Sequence, residues 1–215
     1  MIHHIEDVSI ELPKVYPITD SEISGLSHFE QTRRLMAGGA ALIQLREKRG
    51  SSRLFYSDAA AALEAARSAG VKLIIDDRVD IAFALQAHGV HLGQDDMPVA
   101  PARRLLGKDA IIGFSTHNIE QVREALHLPI DYLAFGPIFL TTTKRDPDPI
   151  AGLNQLRQVR SLAGSLPVVA IGGINRLNAR QALAEGADAV AVISALLANQ
   201  AQIAENLREL TALLS

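Results

Sequence analysis

The chain repeats one pattern eight times: a short apolar run is followed by a stretch of helical character. The runs are continuously apolar, which is typical of parallel strands with both faces covered. A parallel pair needs a crossover connection, and the helical stretches supply it. We predict strands over residues 15–19, 41–46, 72–76, 89–93, 110–115, 132–136, 168–172 and 189–194, and helices over residues 53–69, 118–126, 153–163 and 178–185.

Eight such units favour an α/β fold of the TIM (β/α)8 barrel type. An open doubly wound sheet is the alternative. Such a sheet usually carries a glycine-rich fingerprint after its first strand, and the segment Pro17-Ile18-Thr19-Asp20 is not one. The chain has 215 residues, 48% of them hydrophobic, and no stretch has the composition of a linker. We therefore predict a single domain over residues 1–215, with residues 1–14 as an N-terminal extension.

Composition and charge argue against several classes of partner. The net charge is only −3 and the basic residues are dispersed, so we expect neither a nucleic acid nor a membrane as a partner. The absence of cysteine excludes disulfides, thiolate catalysis and a cysteine-based zinc site. No window approaches the roughly 18 apolar residues of a membrane span, and the N-terminus lacks the pattern of a secretory signal. The expectation is a cytoplasmic protein.

Polar residues cluster where the apolar runs end. In a closed barrel the loops at the carboxyl ends of all strands converge on one mouth, so these residues should meet in space. His117 either lines that mouth or lies behind it. The clusters comprise Gln44, Arg46 and Lys48; Asp76, Asp77 and Arg78; His91, Gln94, Asp95 and Asp96; Ser115 and His117; and Thr141, Thr143 and Lys144.

The charges of this rim suggest a diphosphate bound through a metal. Asp77 and Asp96 follow consecutive strands and could share Mg²⁺, which prefers one or two carboxylates plus phosphate oxygens. Arg46, Lys48 and Lys144 could neutralise the remaining phosphate charge. For any one of these residues alone, a solvated charge or a surface salt bridge is the simpler interpretation. Their joint placement on one rim favours the diphosphate.

Two glycines follow the seventh predicted strand. Gly172 and Gly173 are consistent with a tight turn, since paired glycines are common turn signals. In many barrels, however, the loops after strands seven and eight bind a phosphate through backbone N–H groups. The position after the seventh strand favours the phosphate interpretation.

Taken in order, these motifs resemble those of the thiamine phosphate synthase family. The resemblance runs from about residue 16 to residue 198, and seven motifs in the right order are highly specific. It implies a TIM-barrel transferase that joins 4-amino-5-hydroxymethyl-2-methylpyrimidine diphosphate to 4-methyl-5-(2-hydroxyethyl)thiazole phosphate. The motifs are Gln44-Leu45-Arg46-Glu47-Lys48, Asp76-Asp77-Arg78, the run from Gly89 to Asp96, Ser115-Thr116-His117, Gly136-Pro137-Ile138-Phe139 with Thr141-Thr142-Thr143-Lys144, Gly172-Gly173-Ile174 and Val192-Ile193-Ser194.

The resemblance also implies roles for individual residues, with Mg²⁺ as the cofactor. The catalytic groups would be those that hold the leaving diphosphate. The diphosphate would be bound by Gln44, Arg46, Lys48 and Lys144 and hydrogen-bonded by Ser115 as it leaves, and Mg²⁺ would be bound by Asp77 and Asp96. The family's Thr-x-Thr-Lys loop is matched by Thr141 and Thr143, and its thiazole-phosphate cradle by Gly173, Ile193 and Ser194. The pyrimidine pocket would include Tyr16 and His91.

One position departs from the family. Asp76 stands where the family usually has Asn as a diphosphate contact. An extra carboxylate beside a diphosphate is repulsive unless it is protonated or turned to the metal.

The chemistry expected of the site is electrostatic. A pyrimidine with an amino donor can stabilise a benzylic-type cation, so diphosphate can leave before the thiazole nitrogen attacks, and the protein must neutralise the leaving group and exclude water. Residues 138–150 form a long loop after the sixth strand and are interpreted as a lid, with a passive surface loop as the alternative.

Two other functions are compatible with a barrel of this kind. A thiazole tautomerase would use one phosphate-bearing substrate and no metal, and a non-catalytic regulator would only bind a ligand. A tautomerase has no diphosphate to hold, so the joint presence of carboxylates and cations on the rim speaks against it.

Overall fold

The computed structural model, which describes residues 10–141, 143 and 148–215, is a closed barrel of eight parallel strands paired in chain order. This confirms the predicted TIM barrel. Every predicted strand is present, with ends that differ by at most two residues. The strands are β1 (Val15–Asp20), β2 (Leu42–Arg46), β3 (Lys72–Asp76), β4 (Gly89–Leu92), β5 (Ile111–Thr116), β6 (Tyr132–Phe135), β7 (Val168–Ala170) and β8 (Ala189–Val192).

Helices fill the crossovers between the strands. The four predicted helices are present, and others lie between them within the described residues. The helices are α1 (Ser21–Ser24), α2 (His28–Ala37), α3 (Ser52–Ser68), α4 (Val79–Leu85), α5 (Val99–Leu106), α6 (Ile119–Ala125), α7 (Gly152–Ala163), α8 (Ala179–Ala184), α9 (Ser194–Leu197) and α10 (Ile203–Leu214), with a 3-10 turn at Gln200–Gln202. Among the described residues no helix is long and apolar enough to span a membrane.

The core has two parts because successive strand residues point to opposite faces of the sheet. The outward side chains pack under the helices in one large cluster. The inward side chains form a smaller cluster inside the barrel, which includes Tyr16, Leu42, Ile74 and Tyr132. Both faces of each strand are therefore buried, which explains why the runs are continuously apolar.

The same alternation carries polar side chains into the barrel at its carboxyl end. Gln44 lies two residues after the inward Leu42, and Asp76 lies two residues after the inward Ile74. Both polar side chains are buried, as is His91 of β4. The barrel is thus filled by apolar groups in its lower part and by polar groups where the strands end.

The N-terminal extension is only partly described. Residues 1–9 lie outside the described residues. Ile10 and Leu12 are half-buried and pack against the cluster inside the barrel. This portion of the extension therefore contributes apolar contacts to the fold, while the proposed boundary at residue 14 stays a prediction.

An aspartate and an arginine form the same contact at two places in the barrel wall. Asp131 precedes β6 and accepts hydrogen bonds from the backbone N–H of Ile112 at 2.6 Å and from Arg103 at 2.6 Å. Asp188 precedes β8 and accepts from the N–H of Val168 at 2.7 Å and from Arg160 at 2.6 Å. Each carboxylate ties the start of one strand to its neighbour and to a helix on the outside.

Candidate active site

A cavity of about 720 Å³ opens at the carboxyl ends of the strands. Its size is within the range of ligand-binding clefts, about 300–1,000 Å³. All but two of the residues predicted for the site line it. These lining residues are Gln44, Arg46, Lys48, Asp76, Asp77, His91, Asp96, Ser115, Thr141, Thr143, Gly173, Ile193 and Ser194.

The other two predicted residues are Lys144 and Tyr16. Lys144 lies outside the described residues, so its role stays a prediction. Tyr16 is 1% exposed and does not line the cavity. Its hydroxyl contacts Gln44 and Tyr132 instead. Tyr16 lies under the site, and of these two neighbours Gln44 lines the cavity.

The two cations of β2, Arg46 at its last position and Lys48 two residues beyond it, are paired with carboxylates. Arg46 forms an ion pair with Asp20 at the end of β1, and its Nε lies 3.9 Å from Asp76. Lys48 lies 3.0 Å from Asp76 and also pairs with Asp77. A diphosphate bound here would compete with these carboxylates for the same cations.

Glu47 lies between Arg46 and Lys48 in sequence, and its carboxylate stabilises the loop that carries them. It accepts hydrogen bonds from the Ser21 hydroxyl at 2.7 Å and from the backbone N–H groups of Arg49 and Gly50 at 2.8 Å each. His28 Nε2 lies 3.3 Å away. Burial raises the pKa of Glu47, but these hydrogen bonds outweigh it and lower the pKa to about 2. The carboxylate is therefore charged at neutral pH and fixes the loop.

The carboxylates of Asp77 and Asp96 lie side by side and interact. Asp77 has a left-handed backbone with φ 60°, a conformation in which Asp is enriched among non-glycine residues. Burial and the hydrogen-bonded Asp77 carboxylate raise the pKa of Asp96, although the N–H of Gly93 donates to Asp96 at 2.7 Å and opposes the rise. Within the described residues no group of three or more acidic, His or Cys residues is arranged to hold a metal.

Asp76 is more deeply buried than its neighbour, with 7% of its surface exposed. Burial raises the pKa of Asp76 to about 6, even though Lys48 and Arg46 favour its charged form. The carboxylate that departs from the family's usual Asn is therefore engaged with both cations of β2.

A set of hydrogen bonds forms the floor of the cavity. Gln44 Nε2 donates to the Tyr16 hydroxyl at 3.3 Å, and the two tyrosine hydroxyls lie 3.0 Å apart. His91 Nδ1 lies 2.9 Å from the Tyr132 hydroxyl, and His91 Nε2 lies 2.8 Å from Ser115 Oγ. Burial lowers the pKa of His91 to about 4, so the imidazole is neutral.

Sequence reasoning missed Tyr132. Its ring is fully buried inside the barrel, and it is the residue that joins Tyr16 to His91. A signal was available, because a buried tyrosine usually finds a hydrogen-bond partner for its hydroxyl. What the pattern does not reveal is which partner, since Tyr132 is 41 residues from His91 and 116 from Tyr16.

The two glycines after β7 form a tight turn and also leave backbone N–H groups available at the cavity. Gly172 and Gly173 have φ of 97° and 66°. A Cβ at Gly172 would lie 2.5 Å from Pro137, and one at Gly173 would lie 2.3 Å from the carbonyl oxygen of Leu140. The turn therefore requires glycine. Among the described residues, no acceptor is found for the backbone N–H groups of Gly173 and Ser194, which leaves them available to an anion.

His117 lines the cavity, which resolves its location. Its Nδ1 lies 2.7 Å from the carbonyl oxygen of Gly136, and because a carbonyl only accepts, Nδ1 carries a proton. Asp148 lies 3.6 Å from the same nitrogen. Gln121 accepts from the backbone N–H of His117 at 2.7 Å and also lines the cavity, a placement that sequence reasoning missed.

The chain is similar to one family over most of its length. Residues 15–196 match the family model described as thiamine monophosphate synthase. The chain is 45% identical over 203 residues to the thiamine-phosphate synthase of Chloroflexus aurantiacus, covering 94% of this chain and 93% of the relative. It is 46% identical over 202 residues to the thiamine-phosphate synthase of Methanocella arvoryzae, covering 94% of each chain.

A solved structure agrees with this similarity. The thiamine phosphate pyrophosphorylase from Pyrococcus furiosus superposes on this chain with a TM-score of 0.83 at 36% identity, covering 94% of this chain and 95% of the other.

Proposed function

The chain belongs to the thiamine monophosphate synthase family, whose activity is the coupling of a pyrimidine to a thiazole, and from this premise we propose its substrates, cofactor and site residues. The substrates are 4-amino-5-hydroxymethyl-2-methylpyrimidine diphosphate and 4-methyl-5-(2-hydroxyethyl)thiazole phosphate. The products are thiamine phosphate and diphosphate.

The observation that carries this proposal is the presence of two different anion sites in one cavity. One side presents Arg46 and Lys48 beside two carboxylates in mutual contact, which suits a diphosphate held with a metal. The other side presents the backbone N–H groups of Gly173 and Ser194, for which the described residues offer no acceptor, and these groups suit a phosphate monoester. Two such sites in one cavity fit a reaction between two phosphorylated substrates.

The diphosphate is bound by the cations of β2, together with Gln44 and Lys144. Arg46 and Lys48 are paired with acidic side chains, so diphosphate binding exchanges one set of anionic partners for another. The floor residues Gln44 and His91 face the pyrimidine, and Tyr16 supports them from below.

The residues present fit Mg²⁺ as the cofactor. Asp77 and Asp96 would hold it, and the interaction of their carboxylates supports a shared cation because two ionised carboxylates side by side repel each other. A site with two protein carboxylates leaves room for the phosphate oxygens and waters that Mg²⁺ prefers. When bound, Mg²⁺ neutralises charge on the leaving diphosphate.

The chemical step breaks the bond between the pyrimidine methylene carbon and the diphosphate oxygen, and the electron pair leaves with the diphosphate. The thiazole nitrogen then supplies the electron pair for the new carbon–nitrogen bond. Arg46, Lys48, Lys144 and Ser115 stabilise the growing negative charge on the diphosphate. A preorganised contact of this kind typically contributes about 3 kcal/mol to the transition state.

The thiazole phosphate is oriented by the loops after β7 and β8. The N–H groups of Gly173 and Ser194 bind the phosphate, and Ile193 lines the adjoining wall. Thr141 and Thr143 lie on the loop that approaches this side, where their hydroxyls can hydrogen-bond a substrate.

The decisive experiment measures diphosphate release from the pyrimidine diphosphate, with and without the thiazole phosphate, in the presence of Mg²⁺. We expect release that depends on the thiazole and yields thiamine phosphate in equal amount. Thiazole isomerisation without diphosphate release would indicate the tautomerase instead. Binding of either compound without turnover would indicate the non-catalytic regulator.

A further inference from the structure

The floor of the cavity contains a hydrogen-bond chain that ends at Ser115. It runs from Gln44 to Tyr16 at 3.3 Å, to Tyr132 at 3.0 Å, to His91 at 2.9 Å and to Ser115 at 2.8 Å. Tyr16, Tyr132 and His91 are buried, while Ser115 lines the cavity.

The chain has a direction because each hydroxyl has one hydrogen to donate. The Gln44 amide NH₂ donates to Tyr16, so the hydroxyl hydrogen of Tyr16 is directed elsewhere. Among the described residues, its other partner is the Tyr132 hydroxyl. Tyr132 accepts that bond and directs its own hydrogen to His91 Nδ1. In this direction Nδ1 is the unprotonated nitrogen of the ring.

The donor-to-acceptor order of the hydrogen bonds continues through the imidazole to Ser115. An imidazole whose Nδ1 accepts a hydrogen bond is neutral and has one N–H. With Nδ1 accepting from Tyr132, the N–H is at Nε2 and donates to Ser115 Oγ. The Ser115 hydrogen is then free to point into the cavity.

We propose that Tyr132 is a positioning residue for diphosphate departure: it holds His91 as the Nε2–H tautomer, and His91 in turn directs the Ser115 hydroxyl hydrogen toward the leaving group. The inference rests on the proposed function of the cavity. It assigns a role to a buried residue that does not line the cavity.

The opposite direction would disfavour the reaction. Ser115 would then donate to His91, and only the lone pairs of its oxygen would face the diphosphate. Lone pairs directed at an anion repel it, whereas a hydroxyl hydrogen stabilises the charge that grows as the diphosphate leaves.

The packing around Tyr132 supports a specific contact. Gly113 pairs with Tyr132 across β5 and β6. A Cβ at Gly113 would lie 2.3 Å from the Tyr132 hydroxyl and 2.5 Å from His91 Nδ1. The rings of His91 and Tyr132 stack with centroids 5.5 Å apart. The absence of a side chain at Gly113 is thus what lets the phenol and the imidazole meet.

The first test is a double-mutant cycle. Tyr132→Phe removes the hydroxyl and retains the ring, and we expect turnover to fall roughly ten- to hundredfold, as for other residues that orient a site group. In a Ser115→Ala background the same change should cost less than about twofold, because the group through which it acts is gone. Tyr56→Phe, at a half-exposed tyrosine of α3, is the control and should leave turnover unchanged.

Losses that multiply in the double variant would overturn the inference, because Tyr132 would then act independently of Ser115. Unchanged turnover in Tyr132→Phe would do the same. These outcomes require a parent protein that couples the two substrates. A parent that releases no diphosphate would instead refute the proposed function.

The second test needs no activity. The ¹⁵N spectrum of the histidine side chains distinguishes a protonated from an unprotonated ring nitrogen, and a His91→Asn sample identifies the His91 signals among those of the seven histidines. In the parent at neutral pH we expect the proton on Nε2, and in Tyr132→Phe a shift toward the other tautomer. A parent spectrum with the proton on Nδ1 would contradict the inference even if the protein is fully active.

Discussion

Lys48 and Asp76 form an ion pair at the mouth of the barrel, with Nζ 3.0 Å from the carboxylate. This pair joins the residue proposed to bind diphosphate to the one position that departs from the family. The carboxylate of Asp76 therefore does not face the ligand as an unpaired charge. It competes with the ligand for Lys48.

The competition predicts that Asp76→Asn binds inorganic diphosphate more tightly than the parent at pH 8. The expected gain is about fivefold, or ~1 kcal/mol, the upper range for a partly exposed ion pair. Burial raises the pKa of Asp76 to about 6, so the carboxylate is charged at pH 8 and mostly neutral at pH 5. The ratio of the two affinities should therefore approach one at pH 5.

Calorimetric titration of each protein with diphosphate, without metal and at the two pH values, measures this ratio. The protonation state of free diphosphate is the same for parent and variant at a given pH, so it cancels in the ratio. The competing view is that Asp76 helps to hold Mg²⁺. A loss of activity in Asp76→Asn together with a raised Mg²⁺ requirement would support that view and refute the competition.

Asp96→Asn should raise the Mg²⁺ concentration needed for half-maximal rate. The carboxylate of Asp96 contacts that of Asp77, and removing one anionic ligand weakens a site for a hard cation. Binding of the thiazole phosphate should change little, because the change lies on the other side of the cavity. Asp95→Asn, at the adjacent exposed residue, is the matched control. An Mg²⁺ dependence like that of the parent would remove Asp96 from the metal site.

Glu47→Gln should destabilise the loop that carries Arg46 and Lys48. The carboxylate accepts hydrogen bonds from one hydroxyl and two backbone N–H groups. A hydrogen bond to a charged group contributes about 1.5–3 kcal/mol to stability. We expect a lower melting temperature and a higher KM for the pyrimidine diphosphate at pH 7. Glu22→Gln, at a half-exposed ion pair, should have little effect on either.

The stability effect of Glu47→Gln has a predicted pH dependence. The pKa of Glu47 is lowered from 4.5 to about 2 in the folded protein, so its contribution is fully present above pH 4.5. It is lost as the pH falls from 4.5 toward 2. Melting curves at pH 7 and pH 3 should therefore give a smaller difference between parent and variant at pH 3. A difference that grows on acidification would mean that the carboxylate is not the stabilising group.

Asp131→Ala should lower stability without changing substrate affinity. The change leaves the N–H of Ile112 without its side-chain acceptor and Arg103 without its carboxylate, at a cost of about 2 kcal/mol. For a chain of this size that corresponds to a melting temperature lower by roughly 4–8 °C. Asp109→Ala, at an exposed pair with Lys108, is the control. A changed KM in Asp131→Ala would show that the wall contact reaches the active site.

The sequence by itself determined the barrel and most of its rim. Arg78 was predicted on the rim, but it does not line the cavity and pairs with Asp80 instead. Continuous apolar runs of strand length, separated by helical stretches, identify buried parallel strands, because only strands covered on both faces need no polar side. The rim followed from the same pattern, since polar residues just after such runs must emerge at one end of the barrel. Residues as distant as Gln44 and Thr143 are therefore assigned to one mouth, and both line one cavity.

Only the tertiary structure decided which side chains touch. Tyr132 meets His91 because strand pairing brings Gly113 between them and leaves space for both rings. Asp76 meets Lys48 because β2 and β3 are paired in a register that brings their ends together. The alternation of faces is a local property that the sequence carries. Contacts across the barrel depend on the tilt and stagger at which eight strands close, which no local pattern encodes.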